Sequence, residues 1–266
     1  MKRRTLRRPA RLCGVSLRSF GPVSATLSPA EAGSGIVFND RWTATTRHAG
    51  VTGHATRVGR GPGAVQMVEH LMAACAGLGI TDLDVGVDGD ALPFGDGSCR
   101  HFVREMLKAG ARELPGSVEP LALAGPVIVE SDGSFIAAVP SGRFRVKCLA
   151  RFPGRGASLF AASVTRTVFL NELARARTFG TCPDGESARS VVRKLGLGFR
   201  LRSESGWLLP ARLRYPDEPC RHKVVDLLGD LALLGRPLRA ELFAFQPGHR
   251  LNHRFVEQLK REMEAR

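Results

Sequence analysis

Aromatic residues are scarce in this chain of 266 residues: they make up 6% of it, and Tyr215 is the single tyrosine. A stacking platform for nucleic-acid bases is therefore disfavoured, since such platforms need several exposed aromatic rings. The chain also lacks a hydrophobic run long enough to span a bilayer, any Cys-x-x-Cys pair and a closely spaced set of cysteines. These absences argue against a membrane-spanning protein, a zinc–thiolate site and a disulfide-stabilised miniprotein.

Lysine is scarce as well, with six lysines against 33 arginines, and the net charge is +14. Such a charge is typical of proteins that bind nucleic acid, an anionic membrane surface or a phosphorylated substrate, and it also arises from a compositional bias toward arginine. No zinc-finger, helix-turn-helix or RNP pattern is present, so we expect no nucleic-acid partner. Because the six cysteines are scattered, they favour a reducing compartment. A cytoplasmic protein is therefore expected. We also expect a monomer with at most peripheral membrane contact.

The N-terminal segment MKRRTLRRPARLCGVSLRSF is basic, and the first acidic residue is Glu31. Its charge is similar to that of an organelle transit peptide, but it lacks the apolar core of a secretory signal. Polar residues alternate with apolar ones from Thr5 to Leu17, and this alternation favours an ordinary first strand.

The first half of the chain contains strand-like segments around two predicted helices, at 64–80 and at 98–111 with Ser98 as the cap. The following segment, ARELPGSVEPLALAG, has two prolines and little periodicity. A domain boundary is therefore predicted there, with one domain at 1–117 and another at 118–266.

The second half opens with strands at PVIVESDG, SFIAAVP and RFRVKCLARF, followed by a predicted helix at 165–180. A loop with short strands is expected at 194–217, then a helix at 218–235, a strand at 239–248 and a last helix at 249–266. Each half therefore combines strands with helices, which predicts an α+β fold of two layers with a similar plan, consistent with an ancient duplication.

Glu69 and His70 are neighbours in the first predicted helix. If His70 binds a metal, Glu69 can reach the metal's water without being a ligand itself, which is the arrangement a metallohydrolase needs. A Glu-His pair is also common on ordinary helix surfaces, so the pair alone is a weak signal.

His222 and Asp226 lie four residues apart in a predicted helix, which places them on one face, one turn apart. Imidazole nitrogen and carboxylate oxygen both suit Zn²⁺, although a simple i,i+4 hydrogen bond explains the same spacing. The apolar residues around Asp226 favour a partner for its carboxylate. With His70, these residues form a candidate three-ligand zinc site whose fourth position stays open for water, as in catalytic sites.

His249 follows Pro247 and Gly248 at the end of an apolar strand, where a turn can present the imidazole to a cleft. A histidine beside a metal site can act as a general acid or stabilise an oxyanion. An exposed turn histidine with no such role is the alternative, and the residues alone leave both open.

The segments MVEHLMAACAGLGI, PFGDGS, ARARTFG, CRHKVVDLLGDLALLG and PGHRLNH occur in this order. Together they resemble the zinc-dependent UDP-3-O-acyl-N-acetylglucosamine deacetylase family of lipid A biosynthesis, over nearly the whole chain. The resemblance implies two similar domains, each a β-sheet layered on two helices, with the active site at the domain interface. It also implies a UDP-linked acylated amino-sugar as the substrate and zinc as the cofactor, although iron(II) suits the same ligands.

The resemblance assigns roles to individual residues. It implies that zinc is bound by His70, His222 and Asp226, and that Glu69 is the general base. The other implied roles are an acid or electrostatic partner at His249, orientation of this histidine by Asp230, an oxyanion hydroxyl at Thr178, and substrate contacts from Lys223 and Phe179. The position of Asp230 four residues after Asp226 agrees with its role, because both then lie on one helical face.

Four segments depart from the family pattern. Arg18 stands where the first motif has a histidine, and Gly95 stands where a later motif has a bulky residue. A glycine-rich insert is replaced by LGFRLRSESGWLLP, and Gln246 replaces a lysine associated with the substrate diphosphate. Arginines near the proposed site are candidates to hold a diphosphate by paired hydrogen bonds instead. These are Arg175, Arg177, Arg221 and Arg250.

These departures leave the acyl-chain length open and keep alternative functions under consideration. The main prediction is a zinc-dependent deacetylase. A non-catalytic or altered-specificity homologue that binds a nucleotide-sugar or an acylated amino-sugar is the first alternative. A nucleic-acid-binding protein, suggested by the charge alone, is the second.

Overall fold

The fold is described here from a computed structural model. It describes residues 1–152, 156–181, 201–204, 207–210 and 212–264. Much of the predicted loop at 194–217, and with it part of the LGFRLRSESGWLLP segment, lies outside the described residues.

The first half of the chain forms a five-stranded sheet. Apolar residues alternate with polar ones in its strands, so that one face is buried, as in Val23, Ala25 and Leu27. Its central strand pairs antiparallel with one neighbour and parallel with the other. The strands in spatial order are β2 (Ala10–Val15), β3 (Pro22–Ser28), β9 (Leu83–Asp88), β4 (Ile36–Phe38) and β5 (Trp42–Thr43).

The second half forms a sheet with the same strand order. Its central strand also pairs antiparallel with one neighbour and parallel with the other. The main strands in spatial order are β12 (Val127–Ser131), β13 (Ser134–Pro140), β19 (Leu238–Phe245), β14 (Arg145–Phe152) and β15 (Gly156–Ser163), while β11 (Leu121–Ala122) pairs with β19. The fold is therefore mixed α+β, as predicted, and the two layers share one plan.

Short strands complete the two halves. In the first half they are β1 (Lys2–Leu6), β10 (Ala111–Ser117), β6 (Ala49–Thr52), β7 (Ala55–Val58) and β8 (Val65–Gln66); in the second they are β16 (Gly180–Thr181), β17 (Leu201–Glu204) and β18 (Trp207–Pro210). Among the described residues, no strand before residue 118 pairs with a strand after it. The boundary at residue 117 agrees with this pairing and stays a prediction.

Five helices accompany the sheets within the described residues. They are α1 (Glu69–Leu78), α2 (Arg100–Ala109), the short α3 (Arg166–Val168) with a π-helical turn at Phe169–Leu173, α4 (Glu218–Leu231) with a 3₁₀ turn at Ala232–Leu234, and α5 (His249–Glu264). In the first half α2 packs on β2 and on α1, while in the second half α4 packs on β14 and α5 on β12 and β13. No helix in the described part of the chain combines the length and apolar character needed to cross a membrane.

Several element boundaries differ from the predictions. The helix predicted at 64–80 begins at Glu69, because Val65 and Gln66 pair in a strand and Met67 adopts a positive φ of 59°. The helix predicted at 165–180 ends at Leu173, and the segment predicted to contain the domain boundary includes β10, which pairs with β1. The basic N-terminal segment forms strands, as the alternation predicted.

The two halves pack together where α1 meets α4. A Cβ atom on Gly229 would lie 2.1 Å from the carbonyl oxygen of Glu69, so only glycine allows this approach. Similarly, a Cβ on Gly77 would lie 2.2 Å from the ring of Phe169. The two glycines therefore let α1 pack directly against elements of the second half, which brings the residues at the start of α1 to those on α4.

Candidate active site

Glu69 and His70 are the first two residues of α1, and both are buried. The chain turns sharply just before them at Met67, whose φ of 59° lies in the left-handed region that a methionine rarely adopts. Such a conformation costs about 1–3 kcal/mol and persists only where the surrounding structure enforces it. Here the turn connects β8 to the start of α1, where His70 faces α4 and Glu69 faces Thr56 and His249.

His70, His222 and Asp226 converge across the contact between α1 and α4. The Nε2 atoms of His70 and His222 are 3.2 Å apart, and Asp226 Oδ1 lies 3.7 Å from the first and 3.3 Å from the second. Donor atoms about 2.0–2.1 Å from a tetrahedral Zn²⁺ would be about 3.3 Å apart, so the spacing is that of three ligands of one ion. The structure thus contains a candidate His-His-Asp metal site.

The orientation of His222 supports this arrangement. Its Nδ1–H donates to the carbonyl oxygen of Ala176 at 2.9 Å, which leaves a lone pair on Nε2 directed at the cluster. Burial alone would lower the pKa of His222, but the carboxylate of Asp226 outweighs burial and the pKa is raised. Burial would likewise raise the pKa of Asp226, yet His222 and His70 hold it well below its usual value. The aspartate is therefore a carboxylate and can serve as a ligand.

Glu69 lies beside the cluster without belonging to it. Its Oε2 accepts a hydrogen bond of 3.0 Å from the amide of Thr56, and its Oε1 lies 3.9 Å from Nε2 of His249. Burial raises the pKa of this carboxyl, while the neighbouring histidines lower it in part. A buried carboxylate of raised pKa next to a metal cluster is suited to accept a proton from water.

Asp230 is fully buried on α4 and organises a second cluster. Its Oδ2 accepts hydrogen bonds of 2.8 Å from Nδ1 of His249 and from Nδ2 of Asn252. Burial would raise its pKa, but His249 and His253 lower it to about 2. In return, although burial works against it, Asp230 raises the pKa of His249 to about 10. His249 is therefore a cation at neutral pH and faces Glu69.

Thr56, at 1% exposure, connects these groups. Its hydroxyl donates to Asp230 Oδ1 at 2.5 Å and lies 3.0 Å from Nε2 of His253. Because the hydroxyl has one hydrogen and it is directed at the carboxylate, Nε2 of His253 must be the donor to Thr56. His253 Nε2 also lies 3.5 Å from Asp230 Oδ1, so two imidazoles flank this carboxylate.

The sequence-based prediction missed Thr56, Asn252 and His253. Thr56 stands in a short strand with no motif around it, and its role depends on contacts 174 residues away along the chain. Asn252 and His253 carried a usable signal, since they follow His249 by three and four residues and thus share its helical face. Asn252 is fully buried, and a buried amide needs such partners.

Lys223 and Phe179 lie at the edge of the metal cluster. The Lys223 ammonium donates to the carbonyl oxygen of Pro247 at 2.6 Å and lies 5.7 Å from the centre of the Phe179 ring. The Phe179 ring is 6.2 Å from that of His222. Burial lowers the pKa of Lys223. The structure therefore brings these two predicted residues to the site, next to one of the ligand histidines.

Thr178 and Arg250 are placed differently from the residues above. The Thr178 hydroxyl donates to the carbonyl oxygen of Phe179 at 3.3 Å, and its amide donates to Gly97 at 2.7 Å. Arg250 is exposed in the first turn of α5, and its side chain makes no hydrogen bond or ion pair within the described residues. The structure thus fixes Thr178 beside the PFGDGS loop and leaves the Arg250 side chain in solvent.

Two arginines expected near a diphosphate are engaged elsewhere. Arg177 is buried and forms a two-pronged ion pair with Glu218, at 2.8 and 3.0 Å. Arg221 pairs with Asp217 at 2.7 Å and with Glu172. The prediction that these guanidinium groups are available to a diphosphate is therefore wrong for the structure as it stands, because carboxylates already occupy them.

The departures from the family pattern have local explanations. Gly95 adopts a φ of 61°, and a Cβ there would lie 2.6 Å from the ring of His101, so the bulky residue of the motif has no room. The side chain of Gln246 bonds to the backbone of Arg151 on β14. Arg18 is exposed and lies 3.9 Å from Asp90. None of these three residues contacts the metal cluster in the part of the chain that the structure describes.

Known proteins resemble this chain along almost its whole length. A family model described as UDP-3-O-acyl N-acetylglycosamine deacetylase matches residues 3–261. A protein named UDP-3-O-acyl-N-acetylglucosamine deacetylase from Myxococcus xanthus is 36% identical over 96% of this chain and 85% of its own length. Proteins of the same name from Citrifermentans bemidjiense and Nitratidesulfovibrio vulgaris are 34% and 35% identical, over 96% and 98% of this chain and 88% of their own lengths. The chain therefore belongs to the UDP-3-O-acyl N-acetylglycosamine deacetylase family.

Proposed function

We propose that this protein removes the N-acetyl group from a UDP-linked 3-O-acyl-N-acetylglucosamine in lipid A biosynthesis. The observation that carries the proposal is the convergence of two histidines and an aspartate within 3.2–3.7 Å, with a buried glutamate and a cationic histidine beside them. Family membership and the names of the relatives support the same reaction and the same substrate.

The donor set fits zinc. Two neutral imidazoles and one carboxylate are ordinary zinc ligands, and three protein ligands leave a fourth position for water, as in catalytic sites. His70, His222 and Asp226 would hold the ion. When bound, zinc lowers the pKa of a coordinated water toward ~7 and polarises a carbonyl oxygen. Because iron(II) accepts the same donors, the choice of metal is part of the test.

Glu69 is the proposed general base. Attack on the acetyl carbonyl requires that water lose a proton, and Glu69 has a free carboxylate oxygen facing the site while the Thr56 amide holds the other. Its raised pKa makes it a stronger base than an exposed glutamate and lets it release the proton later.

His249 is the proposed electrostatic partner and acid. Asp230 holds its Nδ1–H, so Nε2–H is the group that faces Glu69 and the reacting centre. A cation there stabilises the oxyanion as it forms and can supply the proton that the leaving amine needs. Asp230 acts through His249 by fixing its orientation and its charge.

The remaining predicted residues are proposed to bind substrate. Lys223 and Phe179 line the approach to the cluster, where a cation and a ring suit an anionic, acylated sugar. Thr178 would add a hydroxyl to the oxyanion after a side-chain rotation that releases the Phe179 carbonyl. Arg250, exposed beside His249, is free to meet the diphosphate. We further propose a cytoplasmic monomer of two domains, 1–117 and 118–266, with at most peripheral membrane contact.

The test is acetate release from UDP-3-O-acyl-N-acetylglucosamine by metal-free protein, before and after addition of zinc or iron(II). We expect activity to require metal, His222→Ala to lose both metal and activity, and Glu69→Gln to keep metal but lose about 10²–10⁴-fold in kcat. The exposed Arg239→Ala variant is the matched control. Wild-type protein that holds metal and releases no acetate would instead indicate a homologue that only binds an acylated amino-sugar.

A further inference from the structure

A cavity lies against α1 and α4, on faces of these helices that do not carry the candidate site. Its volume is about 430 Å³, and none of the ten predicted site residues lines it. On α1 it is lined by Met72, Cys75, Ala76 and Gly77, and on α4 by Leu228 and Leu231. Met72 and Leu228 come two residues after the candidate ligands His70 and Asp226, and this spacing directs their side chains to nearly the opposite face of each helix. The cavity is thus separate from the metal cluster.

The wall of this cavity is largely apolar. A volume of about 430 Å³ falls in the lower part of the ~300–1,000 Å³ range of small-molecule sites. Residues from both halves form the wall, so the cavity opens where the halves meet. Its larger apolar side chains include Ile36, Met72, Ile80, Phe144, Phe169 and Leu231.

The charged residues of the cavity all have one sign. Arg3, Arg166 and Arg236 line it, and none of its described lining residues carries a carboxylate. Arg3 is neutralised by Asp82, 2.8 Å away. The side chains of Arg166 and Arg236 are exposed and make no hydrogen bond or ion pair within the described residues. Two unpaired guanidinium groups therefore stand at the rim of an apolar chamber.

We propose that this cavity binds a single-chain fatty acid, with the hydrocarbon chain in the chamber and the carboxylate between Arg166 and Arg236. An arginine matches a carboxylate in charge and geometry. An apolar wall favours burial of a hydrocarbon chain over burial of a polar ring. The limited volume favours one chain over a two-chain lipid. A nucleotide or sugar would leave most of its polar groups unpaired against this wall.

The experiment measures displacement of the fluorescent probe dansyl-undecanoate by dodecanoate from the metal-loaded wild-type protein. We expect saturable binding of one dodecanoate per chain below its micelle-forming concentration. Ala76→Trp fills the chamber from an exposed helix position and should weaken binding at least about tenfold. Leu107→Trp, at an exposed position of α2 away from the cavity, is the matched control and should bind as wild type.

The charge requirement has its own test. The double variant Arg166→Ala with Arg236→Ala should weaken dodecanoate binding about tenfold and leave the affinity for uncharged dodecanol unchanged. Arg239→Ala, which removes an exposed arginine outside the cavity, serves as the control. Since both arginines are exposed, this variant remains informative if Ala76→Trp fails to fold.

Two results would overturn the proposal. One is the absence of saturable dodecanoate binding. The other is dodecanoate binding that both the tryptophan variant and the double arginine variant leave unchanged, whether or not saturating deacetylase substrate displaces the dodecanoate. Displacement by that substrate would place the hydrocarbon chain of the fatty acid at the candidate active site.

Discussion

Thr56 is the residue through which the base and the acid of the candidate site are linked. Its amide holds Glu69 and its hydroxyl holds Asp230, which in turn holds His249. Through its amide and its hydroxyl, this one residue thus holds two carboxylates whose pKa values are shifted in opposite directions, since that of Glu69 is raised and that of Asp230 is lowered to about 2. The relative placement of the two proton-handling groups depends on this position.

Replacing Thr56 by valine should separate these contributions. Thr56→Val keeps the shape and the amide but removes the hydroxyl, which weakens the hydrogen bonding of a buried carboxylate. We expect the free energy of unfolding to fall by about 1–3 kcal/mol. We also expect kcat to fall with KM unchanged, because the lost bond serves the reaction rather than binding. Urea unfolding measures the free energy of unfolding, and initial rates measure kcat and KM. Thr56→Ser restores the hydroxyl and should recover most of the lost stability and most of the lost kcat.

The ionisation of His249 should respond to the metal. In metal-free protein we expect a pKa of about 10, which NMR of the imidazole nitrogens can measure. Occupation of the triad by a divalent cation should lower it, since like charges repel. Because the folded pKa exceeds the unfolded value of ~6.5, the contribution to stability is complete below pH ~6.5 and lost as pH rises toward 10. A pKa near 6.5 in the metal-free protein would contradict the Asp230 interaction.

Individual residues of the site were predictable to different degrees. Helical spacing marked His222 and Asp226 as a candidate ligand pair, because residues four apart share a face. The role of Asp230 came from the family resemblance, and its spacing agrees with that role. His70 and Glu69 needed the family motif, since nothing in the local pattern relates α1 to α4. Thr56 could not be found, because no local rule relates a threonine on one short strand to an aspartate in the other half.

The crossing of α1 and α4 is the element-level basis of the metal cluster. His70 comes from one helix, His222 and Asp226 from the other, and Gly229 permits the contact. The distances between the three donor atoms therefore depend on how closely α1 and α4 pack. Any side chain at residue 229 has to displace backbone, since the atom it meets is a carbonyl oxygen.

Gly229→Ala should therefore damage both the fold and the metal site. We expect a loss of about 3 kcal/mol in the free energy of unfolding, at the upper end of the usual overpacking cost. Zinc affinity should fall as well, because α1 moves away from α4. Thermal unfolding and competition with a chromophoric chelator measure the two effects. Gly142→Ala, where an added Cβ meets nothing within 4 Å, should change neither.

Elements were predicted better than their ends. The last helix begins at His249 as predicted, and α4 begins at Glu218, because Pro219 and the apolar spacing mark its start. The start of α1 was misplaced by five residues, since Val65 and Met67 fit a helical pattern but belong to a strand and a strained turn. Pairing with another strand determines the conformation of these residues, and the periodicity of the local sequence carries no information about such pairing.

At the scale of the molecule, the metal cluster joins the two halves. Binding of zinc should therefore stabilise the whole chain, by about 2.7 kcal/mol at a hundredfold excess over the dissociation constant. We expect a rise in melting temperature when zinc is added to metal-free protein, measured by calorimetry. Since His222→Ala removes one ligand, its melting temperature should not respond. An equal response in that variant would show that zinc acts elsewhere.

The α+β class and the repeated plan of the two halves were predictable from the order of strands and helices. The strand order within each sheet was not, because pairing between distant segments leaves no local pattern. The charge of +14 was a poor guide to function. Several of its arginines are engaged with carboxylates, as Arg177 is with Glu218, and these serve the fold.

The two sheets have one strand order, and α1 and α4 occupy the same place in it, yet the two helices carry different ligands. Two copies of the first half would offer two histidines and two glutamates, but no aspartate at the ligand position. Two copies of the second half would offer two His-Lys-Val-Val-Asp segments without Glu69. A symmetric dimer of either half alone therefore cannot form this site. Selection for the reaction has to preserve both halves together in one chain.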